Sequence, residues 1–432
     1  MMSWIGLLLI NSIWADPCGM VPPIAVTNSN AIARQGAQRT YVFFKDGIET
    51  IALRPGFTGS VEDFGMLIPF PSPPALRKIE DDTFAHIEAA IEPPKVFVRK
   101  ELEWEEEKMM VMDMVAEPLA FESKSLEEDE VRVLNQEAVG MYQVAVLEAG
   151  SSKALARWMK ENGYRYPKGM DDVTDEYVAQ SWCFVAIKAA VGSADGIAPE
   201  PGKRSVNPAR PAGSTFNGHV QGMAFRFHVD EPVVPMRLSV FNGVDPRNVV
   251  YMLTDKPMKI KQLEDKLVVR QVTGSKLLKT FTEPLEVEMD SILTGFSMNA
   301  DQRSQLESMR NYEPYVSIAK SLFASDLLAV KESRLSLPIE EREKEYLRVS
   351  EAFGLRGADV DSLHGEQLKK ERLQIVESTL GDIGNMHLSV IDGVFDSSVL
   401  SKQNLLFEEH TISFAKGRNE PLKQNDRTMW VY

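Results

Sequence analysis

Cysteine and histidine are scarce in this chain, with two of the first and six of the second among 432 residues. Neither Cys18 nor Cys183 has a histidine near it in sequence. A paired nucleophile therefore has no local partner here, and one cysteine offers too few ligands at short spacing for a zinc site. Motifs that carry phosphate, dinucleotide or acyl-transfer chemistry are also missing: there is no G-x-S-x-G elbow, no G-x-x-x-x-G-K and no G-x-G-x-x-G. Basic stripes are missing too, which argues against nucleic acid and against an anionic membrane surface as partners. Past the first residues no apolar run reaches the length of a membrane span.

The chain opens with "MMSWIGLLLINSIWADPCGMVPP", apolar from Trp4 to Ile10, then polar Asn11 and Ser12, then Ala15 at a plausible cleavage position. This is the form of a secretory signal, residues 1–15, although no Lys or Arg precedes the apolar core and Ile13 is bulky for the peptidase. A lipid anchor on Cys18 would need a small residue just before it and usually Leu three before it; Pro17 and Ala15 stand there instead. The expected mature chain starts near Asp16 and lies outside the cytoplasm, in the periplasm or the medium. In an oxidising compartment its two cysteines are most simply read as one bridge, Cys18–Cys183.

At this length, with 44% hydrophobic residues, the chain can bury a substantial core. Its net charge of −15 is lopsided: residues 101–130 carry twelve Asp and Glu against Lys108 and Lys124. That stretch, taken as 101–135, reads as a solvated, mobile acidic segment between folded parts. The methionines at 109, 110, 112 and 114 within it either dock on a partner or pack locally.

Around this segment the pattern predicts an α+β fold, a mixed or mostly antiparallel sheet body with short helices. "TYVFFKDGIETIALRP" predicts a hairpin turning at Asp-Gly, and "FGMLIPFPSPP" a strand whose prolines mark an edge or exit. "DDTFAHIEAAI", "SSKALARWMKENGY" and "DDVTDEYVAQ" predict helices, the second with a serine cap and a glycine stop. Strands are expected in "MYQVAVLEAG", "WCFVAIKAAV", "HVQGMAFRFHV", "VPMRLSVF", "VVYMLTD" and "KLVVRQV". The β-rich part spans 16–100 and the central α+β part 136–300. From Asp301 three charged stretches of helical period predict a helical extension, 301–432, that ends in short strands.

Among possible ligands, His219, His228 and Asp230 in "HVQGMAFRFHVDE", with Glu231 beside them, form the most metal-like set. Nine residues apart on one strand, the two imidazoles would face opposite sides unless a bulge at Gly222 brought them together. "SIAK", Ser317 to Lys320, matches S-x-x-K without its companion motifs and fits an amphipathic helix. Asp359 and Asp361 have calcium-loop spacing, but Leu363, His364 and Lys370 occupy positions that need an oxygen ligand, a glycine and an acid.

Three long stretches carry a resemblance: "TYVFFKDGIETIALRPGFTGSVEDFGMLIPFPSPPALRKI", "VLNQEAVGMYQVAVLEAGSSKALARWMKENGYRYPKGMDDVTDEYVAQSWCFVAIK" and "GSTFNGHVQGMAFRFHVDEPVVPMRLSVFN". Over roughly residues 18–275 the chain resembles an exported bacterial family, domain of unknown function 2330. The resemblance implies a signal-bearing protein outside the cytoplasm and supplies no activity, cofactor or catalytic residue. Two functions fit: a non-catalytic binding or envelope-associated structural protein with an envelope or extracellular partner, or an exported metal-dependent or carboxylate-based hydrolase.

Overall fold

The structure is a computed structural model that describes residues 38–60, 65–92, 95–98, 127–139, 141–189, 215–219, 221–242, 247–262, 267–282, 286–289, 316–334, 379–411 and 429–431. Its first hairpin turns where the sequence places it. Asp46 and Gly47 both adopt left-handed backbone, φ 51° and 81°. These are the conformations of a type I′ turn, whose twist matches that of the strands it joins. The turn links β1 (Gln38–Lys45) to β2 (Ile48–Leu53), with Lys45 opposite Ile48 and Thr40 opposite Leu53.

A seven-stranded sheet is built on this hairpin. Its order is β15 (Val268–Thr273), β17 (His387–Val394), β13 (Arg247–Thr254), β1, β2, β11 (Met223–His228) and β5 (Ala75–Lys78). Strands β1 and β13 run parallel, Tyr41 beside Tyr251, and the other neighbours are antiparallel. An antiparallel four-stranded sheet packs on it in the order β4 (Gly65–Phe70), β9 (Cys183–Ala189), β8 (Tyr142–Ala149), β7 (Val131–Val139). Strand β4, with Pro69 in it, is an edge, as its prolines require. Three small sheets complete the set: β12 (Val233–Val234) with β18 (Leu405–Glu409) and β14 (Met258–Ile260); β10 (Thr215–His219) with β3 (Gly56–Ser60); and β6 (Lys95–Val98) between β16 (Glu286–Met289) and β19 (Met429–Val431).

Side-chain alternation sorts these strands into layers. Val42, Ile51, Phe225 and Met252 of the large sheet meet Ile68, Val146, Val185 and Ile187 of the small one in a closed sandwich. The opposite face of the large sheet, including Tyr41, Ala52, Tyr251 and Val390, packs on α1 (Thr83–Ile91), α4 (Gly274–Thr282) and α5 (Ser317–Arg334). The opposite face of the small sheet, Leu67, Leu147, Phe184 and Ala186, packs on α2 (Ser152–Glu161) and α3 (Met170–Ala179). The result is an α+β body of four layers: helices, sheet, sheet, helices. Strands β9 and β13 read as near-continuous apolar runs because both of their faces are covered.

Local signals worked unevenly. Ser151 caps α2 by accepting the Ala154 N–H at 3.1 Å, and Gly163 (φ 80°) follows that helix. Asp82 makes no side-chain cap on α1; Thr83 Oγ1 donates to the Glu80 carbonyl instead. The strand expected in "VPMRLSVF" is a 3₁₀ helix, Arg237–Asn242. Pro235 has no N–H for a ladder, and Ser239 donates both its N–H (2.9 Å) and its hydroxyl (2.5 Å) to the Met236 carbonyl, which closes a turn.

The boundary placed at 135 falls within β7. Residues 301–432 supply α5, β17, β18 and the four-residue α6 (Ser397–Leu400), and β17 lies inside the large sheet. Of the acidic segment, Glu127 to Glu130 are described and exposed, and 101–126 lie outside the described residues. The helix expected over 338–354 also lies outside them, as does most of the one over 365–381, with Asp359, Asp361 and His364. Among the described residues no helix is long and apolar enough to cross a membrane.

Candidate functional site

Strand β2 carries two adjacent polar residues, Glu49 and Thr50, in the middle of the molecule, and both are 0% exposed. Alternation sends them opposite ways: Thr50 toward the α5 layer and Glu49 into the sandwich between the sheets. Each reaches a polar centre that the rest of the fold must accommodate, because an unsatisfied buried polar group is costly.

On the helix side the centre is Asp326 of α5, also 0% exposed. Its Oδ1 accepts from Thr50 Oγ1 (2.8 Å) and Arg226 Nη2 (2.6 Å), and its Oδ2 accepts from Tyr41 Oη (3.0 Å). Arg77 Nη2 stands 3.9 Å from Oδ1. The same guanidiniums bind the neighbouring Ser325 Oγ, Arg77 at 2.8 Å and Arg226 at 3.0 Å, and Arg226 Nε also donates to Thr50 Oγ1 at 3.2 Å. Tyr41 stacks on Phe323, one helical turn before Asp326, with ring centroids 5.4 Å apart. Burial first, then the Asp326 charge, holds the Tyr41 phenol well above its ordinary range, so it stays a donor. Four strands, β1, β2, β5 and β11, thus converge on one carboxylate of one helix.

Glu49 on the sandwich side is nearly alone. It lies opposite Phe44 on one neighbour and Phe227 on the other. Its Oε2 accepts the Val233 N–H at 3.1 Å, while Oε1 is buried with no hydrogen-bond partner among the described residues. Desolvation drives its carboxyl well above the usual carboxylate range, against a smaller downward pull from the Val233 N–H.

The residues singled out from sequence lie elsewhere. His219 ends β10 opposite Gly56 and His228 ends β11 opposite Ile48, so the two histidines belong to different sheets. Between them the chain passes Gly222, where any Cβ would meet the Ile79 side chain at 2.6 Å. His228 and Asp230 are exposed. The backbone of His228 is tied to Ser72, whose hydroxyl accepts its N–H (3.0 Å) and donates to its carbonyl (2.8 Å). Among the described residues no group of three or more His, Cys, Asp and Glu is placed to hold a metal.

Cys183 is a free, buried thiol at the start of β9, 1% exposed, donating to the Phe70 carbonyl at 3.5 Å. Burial pushes this thiol far up, away from thiolate character. It has no cysteine partner among the described residues, and Cys18 lies outside them. The S-x-x-K lysine, Lys320, is on the first turn of α5, where the Ile318 N–H donates to His86 Nδ1 at 3.2 Å.

The family model for uncharacterised proteins conserved in bacteria, domain of unknown function 2330, matches residues 15–329. The chain belongs to that family. The matched region runs past the stretches that suggested it and takes in Tyr41, Glu49, Thr50, Arg77, Arg226 and Asp326, whereas β17 and β18 lie beyond it. No curated protein and no solved structure matches the chain.

Proposed function

We propose that this family member is exported and works outside the cytoplasm as a non-catalytic binding or envelope-associated structural protein. One observation carries the reading. The most concentrated polar chemistry of the described residues is closed around Asp326, where both carboxylate oxygens are engaged and none of the side chain reaches solvent. A general acid, base or nucleophile must reach its substrate; this carboxylate instead joins a helix to four strands. The buried Cys183 thiol likewise lacks the access and thiolate character of a nucleophile. The short apolar leader ending at Ala15 supports the compartment.

Fractionation of a native host with N-terminal sequencing tests the location: a chain beginning near Asp16 outside the cytoplasm is expected, and an intact Met1 in the cytoplasm overturns it. Metal analysis of the purified full chain tests the activity class. Less than stoichiometric metal is expected. A stoichiometric ion lost on replacing His219 or His228 would instead establish the metal-dependent hydrolase reading.

A further inference from the structure

The Glu49 carboxyl sits in a mostly apolar part of the sheet sandwich, away from the buried polar Gln38, Thr40 and Asn248 near the start of β1 and β13. Ile51 and Leu53, on the same face of β2, belong to the core between the sheets. The flanking rings are Phe44 and Phe227, and Phe70 from β4 packs edge-on to Phe227 with centroids 5.1 Å apart. Among the described residues the group that bonds to the Glu49 side chain is the backbone N–H of Val233, in the segment that follows β11. Other polar contacts along that segment are the Val229 N–H, which donates to Gly47 O (3.0 Å), and two residues of pairing between β12 and β18. Within the segment Val234 and Met236 are fully buried in the core between the sheets, a hold that does not depend on pH.

We propose that Glu49 is a proton-operated latch: as the neutral acid it keeps the segment Val229–Met236 closed over the sandwich, and loss of its proton releases that segment into water. The reasoning is a comparison of states. A neutral carboxyl in this apolar setting leaves one oxygen unbonded, a moderate cost, whereas a carboxylate there would be desolvated with a single N–H to stabilise it. Among the described residues no cation offsets it. The residues paired with Glu49 on β1 and β11 are Phe44 and Phe227, and Phe70 of β4 packs behind Phe227. Lys45 and Asp46 in the hairpin turn, and Asp230 and Glu231 beyond β11, lie toward solvent. The forces acting on the Glu49 carboxyl are burial and the Val233 N–H, with no charged neighbour among them. A solvated carboxylate is therefore reached only by opening the segment that covers it.

The sign follows from linkage. The closed form binds the proton more tightly than the open form, so closure is most secure below the ordinary glutamate value and weakens as pH rises toward the raised one. Opening releases one proton, so in that window the opening constant should grow about tenfold per pH unit. Native-state hydrogen exchange on the full chain reads this directly. After correction for intrinsic rates, protection of the Val233 and Val234 amides should fall about tenfold per unit as pH rises above the ordinary glutamate value, while amides of β1 and β13 hold. In Glu49→Gln, which keeps the acceptor and cannot ionise, the decline should vanish. Flat protection in the wild type, or the same decline in Glu49→Gln, overturns the latch. Should Glu49→Gln fail to fold, isotope-edited infrared spectra of the wild type decide it: a protonated carboxylic C=O band that persists above the ordinary glutamate value is expected, and a carboxylate band from folded protein just above that value overturns the proposal.

Discussion

Removing the Asp326 carboxylate would leave Arg226 without its closest acceptor and deprive Tyr41 and Thr50 of theirs, at a position that is itself 0% exposed. Asp326→Ala is accordingly expected to cost about 3–5 kcal/mol, the range for breaking a buried charge pair on one side. Denaturant unfolding should show this as a lower midpoint at unchanged slope. Asp326→Asn keeps an acceptor and should fall between wild type and alanine; equal loss in both would put the whole effect on charge. Gly47, at φ 81°, should lose about 1 kcal/mol on change to alanine, from backbone strain alone, since a Cβ there meets nothing closer than 3.7 Å. Cys183 makes a chemical prediction: with 1% exposure and its thiol held protonated, it should resist alkylation in the folded chain at neutral pH. Labelling within minutes would place it outside the sandwich.

Elements are joined by a few long-range polar contacts, of which the clearest lies between α3 and the 3₁₀ helix. Arg237 Nη1 and Nη2 reach both oxygens of Glu176 at 2.5 and 2.8 Å, its Nε reaches the Ser401 carbonyl at 3.3 Å, and its guanidinium lies over Tyr177 at 5.8 Å. The Arg237 hydrogen bonds, ahead of burial, hold the Glu176 carboxyl below its ordinary value. Its contribution is thus present above the unfolded glutamate value and lost as pH falls through the lowered one. With the Glu176 side chain 56% exposed, solvent screening limits that contribution to about 1 kcal/mol or less. A stability profile on the acid side should flatten by that small amount in Glu176→Gln, the reverse of the neutral-side behaviour assigned to Glu49. This contact also shows why the 3₁₀ helix was illegible. "VPMRLSVF" has the alternation and branching of a strand, but Arg237 is 6% exposed because its partners come from residues 176 and 401, far off in sequence. The Asp46–Gly47 turn and the Ser151 cap were legible because their causes lie within four residues of each other.

Across the whole molecule, hydrogen exchange should be slowest in β1, β2 and β13, covered on both faces; faster exchange there than in β7 would contradict the layering. The α+β class and most strands were readable from local periodicity, whereas the pairing of two sheets back to back was not, since it depends on which apolar faces meet. The polar centres had a faint signature: Asp326 interrupts "SLFASDLLAV", Arg226 separates Phe225 from Phe227, and Glu49–Thr50 break "IETIAL". Each looks like an ordinary exposed position until the layers close over it. His219 and His228 looked more promising because they lie close in sequence, yet they end strands of two different sheets.

The place of β17 has a consequence for the order in which the chain becomes itself. Residues 387–394 lie far downstream of the strands they join, yet they pair with β13 on one side and, among the described residues, are the sole sheet neighbour of β15 on the other. Until they arrive, β13 presents a bare edge and β15 has nothing to join, so completion of the large sheet waits on a segment far downstream of both. A chain that still lacks that segment is an open, pairing-competent intermediate, its β13 edge bare to whichever strand reaches it first.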